Sequence, residues 1–348
     1  MSKNGIPDAT DKRIASALQL HGRAPWDQIA QVLGLSERTT ARRGQRLLDE
    51  GMIRVIGVLD TQLIGRPAPV LLGLRVETGS ARAIAASLSG LAETRTVMAL
   101  CGSFDHFVEV IPESQSSLRT FLFDRLPAQV RSSSSYPVLR FYTGSHEWNG
   151  GALTEDEERA LRQEPRSPFG GRSGVIDLHT EEHRITQLLA RDGRMSTTRL
   201  AGELGVSQAT ASRRLAAVLE QGVVRIRADV APSLFGLTTE ALLWLRVSYR
   251  HLDEVGRTLS DRPEVMTLVS VSGSYQICAH VAVRDTHHLQ AFLTDVVGAL
   301  DAVSEIDVSI LLETFKRGGF TLAAPSPAQV PTPDAPDRPA GPRAAPEK

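Results

Sequence analysis

Residues 33–51 read LGLSERTTARRGQRLLDEG and residues 204–222 read LGVSQATASRRLAAVLEQG, a near-repeat 171 positions apart. In each stretch apolar or small residues recur at i, i+4, i+7 and i+8. They are Thr40, Gly44, Leu47 and Leu48 in the first copy, and Ala211, Leu215, Val218 and Leu219 in the second. That spacing is one face of an α-helix. Ser36 and Ser207 stand where an N-cap would open the helix, and Gly51 and Gly222 where a left-handed cap would close it. The outward set is then Ser36, Arg38, Thr39, Arg42, Arg43 and Arg46 in the first copy, and Ser207, Gln208, Thr210, Arg213 and Arg214 in the second.

Upstream, Asp11–Leu20 places Ile14, Ala17 and Leu18 on one helical face. Pro25 suits the first turn of a second helix, Ser196 takes the N-cap role at that point in the other copy, and Gly34 and Gly205 punctuate a tight turn. Three short helices with a tight turn before an Arg-rich third are a helix-turn-helix arrangement, whose third helix enters the major groove. There Arg reaches guanine edges or phosphates, and Ser and Thr bond phosphates or several base edges. The whole chain carries a formal net charge of −1, yet residues 11–57 sum to +3 and 182–228 to +4. Two local basic patches are the electrostatic footprint that DNA attraction requires. Gly44 lies inside the first of these helices where the second has Leu215. A mid-helix Gly costs about 1 kcal/mol against a good helix former, so the first copy is expected to be the weaker reader.

The repeat extends well beyond these helices. His21-Gly22-Arg23 falls on Asp192-Gly193-Arg194, Leu74-Arg75-Val76 on Leu245-Arg246-Val247, and Gly102-Ser103-Phe104 on Gly273-Ser274-Tyr275. Strands are expected over 69–76, 96–101, 106–111 and 138–143, with helices over 80–91 and 114–126. The second copy repeats them over 240–247, 265–271, 277–283 and 308–314, with helices over 252–260 and 286–300. The order βαββαβ is the ferredoxin-like split unit. The fold class is therefore α+β: two tandem copies of a winged-helix-like helix-turn-helix domain followed by a ferredoxin-like domain. The expected domains are 1–57 and 175–228 for the helix-turn-helix units and 58–147 and 229–318 for the sheets. Between them lies a Gly/Ser/Pro-rich linker, 148–174, with one short helix near 154–164, and a disordered Pro/Ala-rich tail follows over 319–348.

This order resembles the Lrp/AsnC family of transcription regulators. The resemblance rests on DKRIASALQLHGRAPWDQIAQVLGLSERTTARRGQRLLDEGMI and EEHRITQLLARDGRMSTTRLAGELGVSQATASRRLAAVLEQGVV, on Gly65 and Gly236 before the first sheet strand, and on the GSFD and GSYQ hairpins. It implies pairing through the sheet domains, recognition helices on a pseudo-palindromic double-stranded DNA operator, and an amino-acid or related small-metabolite effector near the hairpin. Carried over residue by residue, the effector positions are Gly102, Ser103 and Asp105, with Gly273 and Ser274 in the second copy, where Gln276 replaces the acid. Gly followed shortly by Asp is also ordinary hairpin chemistry. The family uses two identical chains; this chain holds both halves, so unequal half-sites are expected, and a homodimer or larger assembly with them. Pairing of the two sheets within one chain or between chains is left open.

The same fold, in fused two-copy form, also resembles the sirohaem decarboxylases, which work with His, Arg and Tyr in the sheet domain. The corresponding strands, Met98-Ala99-Leu100-Cys101 and Val269-Ser270-Val271-Ser272, offer no acid–base group, while His106 and Tyr275 stand alone. A metabolite sensor without DNA binding is a third possibility. No catalytic residue, cofactor or metal is expected: His287-His288 and His179/His183 lack ligand-spaced partners, and Cys101 and Cys278 are too few for zinc or a disulfide framework. No apolar run reaches the ~20 residues of a membrane span, and MSKNGIPDATDKR lacks the apolar stretch of a signal peptide, so a cytoplasmic protein is expected.

Overall fold

The computed structural model describes residues 7–144, 148–162 and 175–322. Each copy opens with three helices: α1 (Ala9–Leu20), α2 (Trp26–Leu33) and α3 (Glu37–Asp49), then α7 (Thr180–Arg191), α8 (Thr197–Leu204) and α9 (Gln208–Glu220) in the second copy. Their ends follow the expected chemistry. Asp8 closes a capping box with Asp11. Ser36 Oγ accepts the Thr39 amide, and Ser207 Oγ the Thr210 amide, satisfying N–H groups that the helix cannot. Gly34 and Gly205, at φ 66° and 68°, make the left-handed turn between second and third helices. The inward stripe is as the spacing predicts, with Thr40, Gly44, Leu47, Ala211, Leu215 and Val218 buried.

Gly44 has a reason that the spacing could not supply. A Cβ there would lie 2.4 Å from the Trp26 ring, so the indole occupies the volume that Leu215 fills in the second copy. The helix trades propensity for an aromatic packed against it.

After each third helix the chain forms a strand, β1 (Ile53–Leu59) or β6 (Val224–Val230), and the two pair with each other antiparallel. Ile56 faces Arg227, its own counterpart 171 residues on, so the pseudo-twofold axis runs through the middle of this ribbon. The ribbon also exchanges core residues. Ala228 and Val230 of β6 pack with Ile14, Leu18 and Leu47 of the first helix-turn-helix, while Leu59 of β1 packs on the core of the second. Both strands run across the expected boundaries at 57/58 and 228/229; backbone pairing across the copies, invisible to local pattern, sets the join.

The sheet strands are β2 (Val70–Val76), β3 (Thr94–Cys101), β4 (His106–Val110) and β5 (Val130–Thr143), then β7 (Thr239–Val247), β8 (Val265–Val271), β9 (Ile277–Val283) and β10 (Val303–Arg317). With the short β11 (Phe320–Thr321) their order is β11-β10-β3-β4-β2-β5-β8-β9-β7, and β10 also pairs with β7, so the sheet closes on itself. Closure removes both edges. It is achieved by two long strands. β5 pairs with β2 up to Pro137 and with β8 from Val138; β10 pairs with β7 up to Ile310 and with β3 from that same residue onward. The two sheets therefore pair within one chain. Both strands start earlier than the hydrophobic pattern indicates; in β5 this is because RSSSS is polar, mostly exposed, and pairs through its backbone.

Helices α4 (Ala81–Ser89) and α5 (Gln115–Thr120), with α10 (Leu252–Ser260) and α11 (Thr286–Ala291), cover the outer faces. Both α5 and α11 continue into a π turn, starting at Phe121 and Phe292. Between the halves lies one aromatic-rich core: Phe107, Tyr136 and Trp244 with Phe104 and Tyr275 against them. It is asymmetric. Gly73 leaves room for the Phe104 ring, 2.7 Å from where its Cβ would be, and the equivalent position carries Trp244.

Two expected loose segments are partly ordered. Trp148 is buried and its Nε1 donates to Pro263 O at 2.8 Å. The short helix α6 (Glu155–Leu161) docks on α1 and α2: Leu161 is 1% exposed and Arg13 pairs with Glu157. At the other end Gly318 and Gly319, both at positive φ, turn Phe320 back under Arg54. The rest of the expected linker and tail, 163–174 and 323–348, lies outside the described residues.

Candidate nucleic-acid interface and sheet hairpins

The third helices hold their arginines in two distinct ways. Arg43 Nη1 donates to Asp8 at 2.7 Å and Asp11 at 3.0 Å, and Arg46 Nη2 to Asp11 at 2.6 Å. Asp11 is 2% exposed, so these bonds neutralise a carboxylate that α1 buries. The Asp11 amide and the Arg43 guanidinium hold the Asp8 carboxyl below its usual range, and Asp8 in turn raises Arg43. In the second copy Arg214 pairs with Glu181 at 2.5 Å, the same link from third helix to first. Arg43, Arg46 and Arg214, expected on the DNA-facing set, are thus committed to the bundle. Adjacent helix positions lie ~100° apart, which is why one Arg of each pair turns inward and the other outward.

Arg38, Arg42, Arg213 and Gln208 are exposed, and the three arginines have no ion-pair partner among the described residues. Gln208 Nε2 donates to Thr197 Oγ1 at 3.3 Å. Thr39 and Thr210 receive hydrogen bonds from the Ser36 and Ser207 hydroxyls at 2.8 and 2.9 Å, so both pairs are spent on capping while their helix N-termini stay open to solvent. A helix N-terminus with free arginines one turn along is suited to a phosphate and an adjacent base edge. The outward chemistry is unequal: Glu37-Arg38 opens one helix and Gln208-Ala209 the other.

At the sheet hairpins the first copy's Asp105 Oδ2 accepts the Val76 amide at 2.7 Å. In the second copy Gln276 Oε1 accepts the Val247 amide at 3.1 Å, and its Nε2 donates to Gly273 O at 3.1 Å. Val76 and Val247 are equivalent, so the acid and the amide perform one shared task, capping the end of the first sheet strand. Gly102 approaches the other copy: a Cβ there would meet Ser309 Oγ at 2.4 Å. Gly273, at φ +124°, approaches Tyr136, whose hydroxyl lies 3.3 Å from Ser274 Oγ. Ser103 is half-buried in the first hairpin. Each hairpin is therefore a contact between the two halves.

Two ionisable groups noted in the sequence sit in different settings. His106 is fully buried, and burial lowers its pKa. Tyr275 OH donates to Glu305 Oε1 at 3.2 Å and to Asp307 Oδ2 at 3.4 Å; burial and those carboxylates push its pKa up to about 12. Sequence reasoning missed a charged group between the sheets. Glu109 accepts from Arg95 and Thr96, and Glu240 lies 3.0 Å from His280 Nε2 and 3.2 Å from Arg317. Burial pushes both carboxyls up, but these partners outweigh it and hold them below the usual range. The available signal was alternation: in HFVEV, Glu109 shares a sheet face with Phe107.

Comparison with known proteins fits this geometry. The AsnC-type helix-turn-helix domain model matches residues 8–48 and 183–217, and the Lrp/AsnC ligand binding domain model matches 240–319. An uncharacterised HTH-type transcriptional regulator of Pyrococcus furiosus is 30% identical over 138 residues, 39% of this chain and 93% of that protein. A regulator of the same description from Pyrococcus abyssi is 28% identical over 147 residues, 42% of this chain and 93% of its own. Each is as long as one copy. Among solved structures, the siroheme decarboxylase NirDL aligns with TM-score 0.59 and 15% identity over 88% of this chain and 92% of its own, a likeness of fold. With both helix-turn-helix units matched and nearly the full length of a relative covered, the chain belongs to the Lrp/AsnC family of transcription regulators, in a tandem-duplicated form.

Proposed function

We propose that this DNA-binding regulator acts as a covalent pseudo-dimer, laying α3 and α9 on the two unequal halves of one double-stranded operator in the cytoplasm. The observation that carries this is the pair of capped third helices, each with its outward arginines free and its inward ones bound to α1, joined by a ribbon on the pseudo-twofold axis. Arg38 and Arg42 would serve one half-site, Gln208 and Arg213 the other. The sheet body would answer to an amino acid or related small metabolite at the hairpins Gly102–Asp105 and Gly273–Gln276, where a ligand that parts the halves would be felt by both. Whole chains would associate further into dimers or larger assemblies, for which the exposed Phe123 on the outer face of the first copy offers an apolar contact.

A regulator without catalytic activity is the consistent reading. The inter-sheet space is filled by aromatic packing and by carboxylates already paired with cations, His106 is fully buried, and Tyr275 is hydrogen-bonded to Glu305.

The test is selection of bound genomic fragments by the purified protein at two salt concentrations, followed by affinity measurement on the recovered site. One motif with two unlike half-sites is expected at both salts. Arg42→Ala and Arg213→Ala should each weaken binding by roughly 5- to 150-fold and lower the salt slope by about 1 if the contact is to phosphate. Arg43→Ala should instead lower stability, by about 1.5–3 kcal/mol, because it strips one of two arginines from buried Asp11. Recovery of no motif, with binding abolished by salt, would overturn the proposal.

A further inference from the structure

The repeated tripeptides His21-Gly22-Arg23 and Asp192-Gly193-Arg194 are used by nothing described so far, and the structure brings them face to face. Arg23 Nη1 donates to Gly193 O at 2.6 Å and its Nη2 to Met195 O at 3.1 Å. Arg194 Nη1 donates to Gly22 O at 2.8 Å and Ala24 O at 3.0 Å, and its Nη2 also reaches Ala24 O at 3.0 Å. Gly22 corresponds to Gly193 and Ala24 to Met195. Each arginine therefore grips the turn that carries the other, across the pseudo-twofold axis.

The turns are seated on the ribbon. The Gly193 amide donates to Val55 O at 2.8 Å, and a Cβ on Gly193 would lie 2.9 Å from the Ile56 backbone. A Cβ on Gly22 would meet Ile226 at 3.0 Å. The clasp also reaches a recognition helix. The Arg194 guanidinium lies 4.5 Å from the Trp26 ring centroid, and that ring is packed on α3 at Gly44. Two cations are brought close together and out of water: burial lowers the pKa of both, and Arg23 lowers that of Arg194 further. An apolar contact would join the two domains without that cost. What two guanidinium forks add is direction, since each holds two carbonyls of a turn in a fixed plane.

We infer that Arg23 and Arg194 are positioning residues that lock the distance and rotation between the two recognition helices, and so restrict this regulator to operators of one half-site spacing. The inference rests on the DNA-reading function proposed above. Its physical logic is the pitch of DNA: each added base pair moves a half-site by about 3.4 Å and turns it by about 35°, so a pair of helices fixed in both distance and rotation fits one spacing.

The test uses the full chain and a library of operators made from the recovered site, with the half-sites moved apart or together by one to three base pairs. Wild type should favour one spacing by tenfold or more over its neighbours. The double variant Arg23→Ala/Arg194→Ala should flatten that preference to under threefold while binding the best spacing less tightly. Arg23→Lys/Arg194→Lys, which keeps charge and one donor, should fall between them and guards against a misfolded double Ala variant. In parallel, spin labels at Gln45→Cys and Ala216→Cys, equivalent exposed positions on α3 and α9, in a Cys101→Ser background, should give a narrow distance distribution without DNA and a broad one once the arginines are removed. An unchanged spacing profile in the double variant, or a uniform loss of affinity at every spacing, would overturn the inference. If wild type binds no operator at all, the DNA-reading proposal fails instead, and the label distances alone decide whether the clasp fixes the pair.

Discussion

Gly44 and Leu215 hold the same place in the two third helices, and the difference between them is resolved by Trp26. Leu fills the groove from its own helix in one copy; an indole from α2 fills it in the other, with the Arg194 guanidinium over the ring. The pair should behave as a unit. Gly44→Leu alone should destabilise the protein by about 1–3 kcal/mol through overpacking. Adding Trp26→Thr, which installs the second copy's residue at that position, should recover more than half of the loss. Denaturant melts of the three proteins would check it, and a double variant no better than the single one would show that the two positions do not complement each other. The same scale shows what a sequence conceals. Arg42 and Arg43 are neighbours of one type, and only the helical rotation between them, together with Asp8 and Asp11 coming from 35 and 32 residues upstream, assigns one to solvent and the other to the bundle.

Helices were the most legible elements, because their caps and their 3.6-residue stripe are written locally: Ser36, Ser196, Ser207, Gly34 and Gly205 act as their types imply. Strands β5 and β10 were only half legible. Their second halves carry apolar residues and could be read; their first halves, Arg131–Ser135 and Ser304–Asp307, are polar apart from Ile306 and become strand by pairing with a neighbour already in place. Helix α6 was legible as a short helix, but its docking was not. It lies in a segment of linker composition, yet Leu161 completes the core of α1 and α2. Leu161→Ala should therefore cost about 2–5 kcal/mol and leave a cavity beside Ile14 and Leu18. A loss under about 0.5 kcal/mol, read from the shift in denaturant midpoint, would mean that α6 contributes nothing to that core.

At the scale of the molecule the two copies are tied three times, by the ribbon, by the arginine clasp and by the closed sheet. The covalent connection between them is then a means of ensuring one-to-one pairing, with little left to hold together. A protease site inserted between Arg166 and Gly171 should, after cleavage, yield two fragments that elute together at the mass of the intact chain and part only in denaturant. Fragments that separate on dilution would show that the ties are weaker than the geometry indicates. The sequence by itself determined the duplication, the helix-turn-helix units, the order of strands and helices in each copy, and the family. All of these follow from residue type and spacing within a few turns of chain. Only the tertiary structure decided that the sheets close within one chain, that Asp105 and Gln276 share a backbone-capping task, and which arginines remain free for DNA. The first depends on strands paired across the two copies, and the other two on side chains about 30 positions apart within a copy, so no pattern within a few turns of chain carries their energy.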